Sequence, residues 1–209
     1  MKKKLIINII FVLIIIAGVA YFLWDKAVEE QKAQEQELAH QKEMSETLGL
    51  IETSTTSSAL LAATYQEYWG TIIDRTISFS TLSKGLNIEE SILSDMTPAL
   101  KKGYTRDGMG LEQGEFDIAI SMVRLAKEED TNLVLANQES ITKAMSDLKN
   151  PPENFKDNYD SLLEVYEVYD TFVSLSTSPS GSYIEYSKSI NSTYESLSSK
   201  INTTKLQIN

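Results

Sequence analysis

Residues 44–79 of the chain, MSETLGLIETSTTSSALLAATYQEYWGTIIDRTISF, decide the fold. Apolar or small side chains recur there in alternating steps of four and three residues, which keeps one stripe of a helix facing a partner helix over many turns. We expect Gly85 to end this helix, because glycine readily adopts the left-handed conformation wanted there. The stripe consists of Met44, Leu48, Ile51, Thr55, Ser58, Ala62, Tyr65, Trp69, Ile72, Thr76 and Phe79.

Three more amphipathic helices come after a connector at 86–113 that combines a glycine-rich loop with a short helix. Asn150 is expected to cap the third helix, and Ser182 with Glu185 forms a capping box for the fourth. Short connections make sequential helices neighbours, so the sequence predicts an all-α fold with an antiparallel four-helix bundle over 44–209. The inward positions are Phe116, Ile120, Val123, Ala126, Val134, Ile141, Met145, Leu148, Phe155, Tyr159, Leu162, Tyr166, Tyr169, Val173, Tyr183, Ile190, Tyr194, Leu197 and Ile201.

Residues 1–24 predict a single transmembrane signal anchor. Leu5 to Trp24 is apolar apart from Asn8, and a helix of that length spans a hydrocarbon core. Lysines at 2–4 and aromatic residues at the far end follow the positive-inside rule and the aromatic belt, which places the N-terminus in the cytoplasm and the rest outside. The alternative is a cleaved signal peptide with small residues at 18–20. We favour the uncleaved anchor because the apolar run is longer than that of an ordinary signal peptide.

Residues 25–43 predict a polar helical stalk, because they contain strong helix formers on every face and neither Gly nor Pro. The only histidine, His40, lies in this segment between Glu37 and Glu43. A single histidine with carboxylates at helical spacing is far more often a solvated pair than a metal site. We therefore predict no metal at His40.

Composition excludes several classes of function. Lys plus Arg number 19 against 30 for Asp plus Glu, a formal net charge of −11, which argues against nucleic-acid binding. The chain has no cysteine, so disulfides, cysteine-ligated metals and thiol catalysis are ruled out. No phosphate-binding loop, hydrolase elbow, zinc-protease or dinucleotide motif occurs. The sequence therefore predicts no enzyme activity and no cofactor.

A resemblance extends over residues 151–199. Two prolines and Glu153 begin a tyrosine-rich helix, which ends at the turn Ser178-Pro179-Ser180-Gly181. This pattern resembles a class of membrane-anchored or lipid-anchored extracytoplasmic helical proteins of Gram-positive bacteria. The resemblance implies a bacterial cell envelope and implies no activity. Unlike many members of that class, this chain lacks a cysteine for lipid attachment.

The hydroxyl run at 53–58 interrupts the apolar stripe of the first bundle helix. It predicts either a polar ligand cavity or a layer of small residues that lets helices approach closely, and the second interpretation is favoured. Aromatic residues at helical spacing, which usually belong to a core, would wall such a cavity. The candidate pocket residues are Thr55, Ser58, Tyr65, Trp69, Tyr166 and Tyr169.

The sequence supports two functional hypotheses. The first is a non-enzymatic, membrane-anchored envelope protein whose acidic helical bundle binds a protein partner or a second copy of itself. An apolar patch left exposed on the bundle would be the contact surface. The alternative is a binding protein for a small ligand or envelope component, with its pocket in the bundle core. The membrane would be contacted through Leu5 to Trp24 in either case.

Overall fold

The structure, a computed structural model, describes residues 2–73, 79–89, 91, 120–121 and 123–208. Side chains at 2–20, 72–73 and 79–82 lie outside this set. The described residues form helices and no strand, which confirms the all-α class. The helices are α1 (Lys2–Ile73), α2 (Phe79–Leu86), α3 (Glu128–Asp147), α4 (Lys156–Thr177) and α5 (Tyr183–Ile208), with a 3₁₀ turn at Glu153–Phe155 before α4.

The chain divides into two compact units, Met1–Glu43 and Met44–Asn209. In the first unit most described side chains are exposed, and polar pairs one turn apart line the helix, such as Gln31 donating to Glu35 at 3.1 Å. Most of the predicted membrane segment, Leu5 to Trp24, falls on side chains outside the described set. No helix in the described part of the chain combines the length and the apolar character that a membrane crossing requires.

In the second unit, named the C-terminal unit, three pairs of helices run in opposite directions. Each pair is linked by two contacts. The contact that comes first along one helix comes second along the other, which shows that the two helices are antiparallel. Helices α4 and α5 are linked by Glu164–Lys200 at 2.6 Å and by Phe172–Tyr194 at 5.7 Å between ring centroids. Helices α1 and α5 are linked by Glu52–Lys205 at 2.9 Å and by Trp69–Tyr186 at 5.4 Å between ring centroids. Helices α3 and α4 are linked by Thr142–Tyr166 at 2.8 Å and by Gln138–Asp170 at 2.6 Å.

The stripe predicted on the first bundle helix is the buried face of α1 from Met44 to Trp69. All eight stripe residues in that range are buried, Thr55 and Ser58 included. The remaining stripe positions, Ile72, Thr76 and Phe79, lie outside the described side chains. Removing these side chains from water together with those of α3, α4 and α5 supplies the main driving force for folding. The buried partners on α3, α4 and α5 include Val134, Ile141, Met145, Leu162, Val165, Phe172, Val173, Ile190, Leu197 and Ile201.

The predicted helix end at Gly85 is wrong. Gly85 lies inside α2, and the residue with positive φ is Asn87, at 55°. The N–H of Ile88 donates to the Ser83 carbonyl at 3.0 Å, and the N–H of Asn87 donates to the Lys84 carbonyl at 3.2 Å. This is a Schellman cap, in which asparagine takes the left-handed position usually given to glycine. The cap accounts for the start of the predicted connector at 86–113, most of which lies outside the described residues.

Gly85 has a different role, which is to admit a neighbouring side chain. A Cβ at Gly85 would lie 2.2 Å from the hydroxyl oxygen of Tyr68 on α1. That separation is shorter than a van der Waals contact, so a larger residue at position 85 would require the tip of the Tyr68 side chain to move. Packing against Tyr68, and not backbone conformation, therefore favours glycine here.

The starts of α4 and α5 test the two capping predictions. Pro152, and not Asn150, occupies the cap before the 3₁₀ turn, and no side chain there accepts a capping hydrogen bond, so the Asn150 prediction is wrong. The capping box before α5 is confirmed: the Ser182 N–H donates to Glu185 Oε2, and the Glu185 N–H donates to Ser182 Oγ, each at 3.2 Å. The Ser182 hydroxyl, which donates to Glu185 Oε2 at 2.8 Å, and then the Ser182 N–H favour the charged carboxylate and lower the pKa of Glu185.

Two further positions differ from the predicted stripes. On α5, Tyr186 is buried, whereas the predicted Tyr194 is 43% exposed, with its ring centroid 5.7 Å from that of Phe172. Before α3, the backbone leaves helical geometry at Lys127 (φ −109°, ψ 19°), so the helical turn at 123–126 and α3 are separate segments. Val123 is nevertheless buried, as predicted.

Candidate functional site

The hydroxyl layer of α1 is tied to the protein's own backbone. Thr55 Oγ1 donates to the Ile51 carbonyl at 2.7 Å, and Ser58 Oγ donates to the Ser54 carbonyl at 2.9 Å. Both side chains are buried, and both hydroxyl protons are used within α1. Back-bonding of this kind lets a short polar side chain lie in a core without a partner on another helix. The geometry agrees with the small-residue interpretation of the run at 53–58.

Ser54, a neighbour of the predicted candidates, makes the contact across the core. Its Oγ and the hydroxyl of Tyr169 lie 2.8 Å apart, and both residues are buried. Burial raises the pKa of Tyr169, and the hydrogen bond with Ser54 opposes the rise. The pair satisfies two buried polar groups at once and joins α1 to α4. Tyr169 belongs to the predicted candidate set, whereas its partner Ser54 does not.

Tyr166 has a more open environment than Tyr169. Its ring is half-buried, its hydroxyl lies 2.8 Å from Thr142 Oγ1 on α3, and its ring centroid lies 6.4 Å from that of Tyr169. It is an amphipathic residue, with the ring in the core and the hydroxyl at the edge. It therefore belongs to the α3–α4 contact.

Tyr65 and Trp69 form an aromatic cluster with α5 near the other end of the C-terminal unit. Trp69 stacks on Tyr186 and is tilted against Tyr183 with centroids 6.1 Å apart. Tyr65 and Tyr186 are buried, and their hydroxyls have no hydrogen-bond partner of acceptable geometry among the described residues. Burial raises the pKa of both tyrosines. A buried hydroxyl without a partner is destabilising by about 1–3 kcal/mol.

A cavity of about 320 Å³, named the Trp69 cavity, adjoins Trp69 and is reached from the turn before α5. Among the described residues that line it, Arg124 is the only charged one, and Arg124 Nη2 donates to the Pro179 carbonyl at 3.1 Å. The lining residues are Trp69, Ile120, Ser121, Arg124, Pro179, Ser180 and Gly181.

A second concave surface lies between α1 and α3 and is named the α1–α3 cleft. It encloses about 350 Å³, and two of its leucines face water: Leu60 is 67% exposed and Leu133 is 55% exposed. At one edge, Lys127 and Asp130 form an ion pair of 2.9 Å. The cleft is lined by Ser57, Leu60, Leu61, Thr64, Lys127, Asp130 and Leu133.

The six predicted pocket residues thus fall into separate contacts. Tyr65 and Trp69 belong to the aromatic cluster, Thr55 and Ser58 bond to their own helix, Tyr169 bonds to Ser54, and Tyr166 bonds to Thr142. Trp69 is the member that lines a cavity. Binding of a ligand by this set stays a prediction.

Metal binding receives no geometric support in the described ranges. No group of three or more His, Asp or Glu side chains there is arranged to hold an ion. His40 is half-buried on α1.

The chain was compared with protein-family models, curated proteins and solved structures. None matches it significantly.

Proposed function

We propose that the protein is a non-enzymatic, membrane-anchored component of a bacterial cell envelope. In this proposal an antiparallel four-helix bundle, formed by the C-terminal unit outside the cytoplasm, binds a protein partner. The observation that carries the binding role is the α1–α3 cleft, where two leucines on neighbouring helices face water. Isolated exposed leucines are ordinary, but leucines that share a concave surface mark a contact site.

The anchor is supported by the described end of the predicted membrane segment. Tyr21, Phe22, Leu23 and Trp24 are between 60% and 71% exposed. Four consecutive helical residues point to all sides, so one partner helix could not cover them. Aromatic side chains are favoured at the boundary between lipid and water, which surrounds a helix completely. The apolar sequence before them and the lysines at 2–4 fit the same environment.

The bundle is supported by the contacts of the C-terminal unit. Helix α5 runs opposite to α1 and to α4, and α3 runs opposite to α4. In an up-down-up-down arrangement α1 and α4 would be parallel and diagonal, with a contact only through the core. The buried hydrogen bond between Ser54 and Tyr169 is a contact of that kind.

The surroundings of the cleft indicate the chemistry of the partner. The leucines require an apolar face, and exposed glutamates lie within two helical turns of them along the same helices, Glu67 on α1 and Glu128 and Glu129 on α3. Among the described residues that line the cleft, Lys127 is the only basic one, and it is paired with Asp130. An amphipathic helix with leucines on one face and lysines beside them satisfies both requirements. We therefore assign the cleft to a basic amphipathic helix.

Labelling of introduced cysteines tests the topology without background, because the chain has none of its own. We expect a membrane-impermeant maleimide to label Ser199→Cys, an exposed site on α5, in intact cells. Lys3→Cys should react only after the cells are permeabilised. Labelling of Lys3→Cys in intact cells, or protection of Ser199→Cys, would contradict the proposal. Loss of residue 3 from the mature protein would replace the anchor with a cleaved signal peptide.

Peptide binding tests the partner chemistry. The probe is a synthetic amphipathic helix with a leucine face and flanking lysines, titrated into the full chain in detergent. We expect the double variant Leu60→Ser/Leu133→Ser to bind it at least about tenfold more weakly, because central apolar contacts carry most of an interface's affinity. Leu206→Ser, at another exposed leucine on α5, is the matched control and should bind normally. Equal affinity for a peptide with glutamates in place of lysines would contradict the assignment of the cleft to a basic amphipathic helix.

A second candidate function, small-ligand binding, is favoured by one observation, the Trp69 cavity. It places the ligand at the end of the aromatic cluster and not at the hydroxyl layer of α1.

A further inference from the structure

The α1–α3 cleft contains an ion pair of its own. Among the described residues that line the cleft, Lys127 and Asp130 are the only charged ones, and Lys127 Nζ lies 2.9 Å from Asp130 Oδ2. The other lining residues are leucines and residues with hydroxyl groups. While the pair is closed the two charges cancel, so the described lining presents no net charge to a partner.

The side chain of Lys127 is more enclosed than that of a comparable lysine on the same helix. It is 31% exposed, whereas Lys143, which pairs with Asp147 at 2.8 Å near the end of α3, is 78% exposed. A lysine can bury its methylene stem along apolar surface and keep its ammonium at a counter-ion or in water. Lys127 therefore occupies the Asp130 end of the cleft as a lysine of a docked helix would.

We propose that Lys127 is an internal competitor of the basic amphipathic helix that the cleft binds. In the free protein Lys127 holds Asp130. In the complex a lysine of the partner pairs with Asp130, and the ammonium of Lys127 moves into water. The inference rests on the proposed function and adds the source of its charge selectivity: Asp130 recognises the partner's cation, and Lys127 limits the affinity.

The exchange of one lysine for another costs little. A solvated ion pair is weak, because both charges are well hydrated when apart and because pairing orders two flexible side chains. The Asp130 side chain is 56% exposed, so a second ammonium can approach it from the solvent. A helix seated on Leu60 and Leu133 holds its flanking lysines beside the cleft, which raises their effective concentration at Asp130.

Asp130 stays favourably placed when Lys127 leaves. It lies in the first turn of α3, where the positive end of the helix dipole stabilises a carboxylate. Lys127 lies at the N-cap position, where the same dipole disfavours a cation, and no side chain makes a capping hydrogen bond there. Removal of the ammonium therefore leaves the start of α3 intact, and a neutral residue at position 127 tests competition and not folding.

Titration of the peptide with a leucine face and flanking lysines into the full chain in detergent, at about 0.15 M salt, measures the competition. We expect Lys127→Gln to bind the peptide about two- to fivefold more tightly, because no internal pair has to open and one like charge is removed. Asp130→Asn should bind it about two- to fivefold more weakly, because the peptide's lysine loses its counter-ion. Unchanged or weaker binding by Lys127→Gln would overturn the inference.

Lys143→Gln is the matched control. It removes the same charge from an ion pair of nearly the same length on the same helix. Position 143 lies about 24 Å further along α3, well beyond the screening length of about 8 Å at this salt. The variant should change the affinity by less than about twofold. A gain equal to that of Lys127→Gln would show that both lysines act through the net charge of the chain, which would refute the competition.

A double variant shows whether the gain depends on Asp130. If Lys127 competes for that carboxylate, Lys127→Gln should tighten binding less in the Asp130→Asn background than in the wild-type chain. Equal gains in the two backgrounds would leave only charge repulsion and would overturn the competition while the peptide site stands. If the wild-type chain does not bind the peptide, or if Leu60→Ser/Leu133→Ser binds it as tightly, the proposed function and this inference both fail.

Discussion

Replacement of Trp69 by alanine should lower the free energy of unfolding of the C-terminal unit by about 3–5 kcal/mol. Trp69 is almost fully buried, and it stacks on Tyr186 at 5.4 Å between ring centroids. Its removal leaves a cavity between α1 and α5 in addition to the lost transfer free energy. The aromatic pairing with Tyr186 adds about 0.5–1.5 kcal/mol beyond the buried area.

That loss is large compared with the total stability of a domain, which is about 5–15 kcal/mol. We expect the urea midpoint of the full chain in detergent, followed by far-UV circular dichroism, to fall markedly in Trp69→Ala. Trp24→Ala is the matched control: Trp24 is 71% exposed and lies in the first unit, so its removal should leave the midpoint unchanged. Equal effects of the two substitutions would mean that the aromatic cluster does not hold α5 to α1.

The buried face of α1 could be predicted from spacing alone, because the period of a helix is fixed by its geometry. From Met44 to Trp69, steps of four and three place every stripe residue on one side whatever its chemistry, including the hydroxyl residues Thr55 and Ser58. The capping box of Ser182 and Glu185 was equally predictable, since both partners lie within one turn of each other.

The errors arose where a residue type fits two roles. Glycine suits both a left-handed helix end and a close approach of another helix, and only the position of Tyr68 shows that Gly85 serves the second. Tyrosine suits both a core and its rim, so the sequence pattern does not distinguish buried Tyr186 from exposed Tyr194. Neither distinction can be made from the neighbouring residues of the sequence alone.

The candidate site was harder to predict for the same reason. Ser54 reaches Tyr169 across 115 positions of sequence, and Arg124 reaches the Pro179 carbonyl across 55. Apolar spacing around Arg124 indicates a helix face and says nothing of a cavity. The signal that could have indicated a cavity is the position of Arg124, a basic residue of an acidic chain that lies between the inward apolar positions Val123 and Ala126.

Leu197 and Leu206 on α5 provide the second large test, which concerns the bundle itself. Leu197 is fully buried, whereas Leu206 is 86% exposed on the same helix. Because the two substitutions share chemistry and helix propensity, their difference isolates burial. Leu197→Ala should cost about 2–5 kcal/mol, and Leu206→Ala less than about 0.5 kcal/mol.

Urea unfolding of the full chain in detergent measures both variants under identical conditions. A small loss in Leu197→Ala would mean that α5 is not packed against α4 at this point, since Leu197 lies between Tyr194 and Lys200, two residues of α5 that contact that helix. The bundle would then lose the helix that pairs with both α1 and α4. A large loss in Leu206→Ala would instead place a contact at its exposed end, and a drop in midpoint on dilution would identify a second copy of the chain as the partner there.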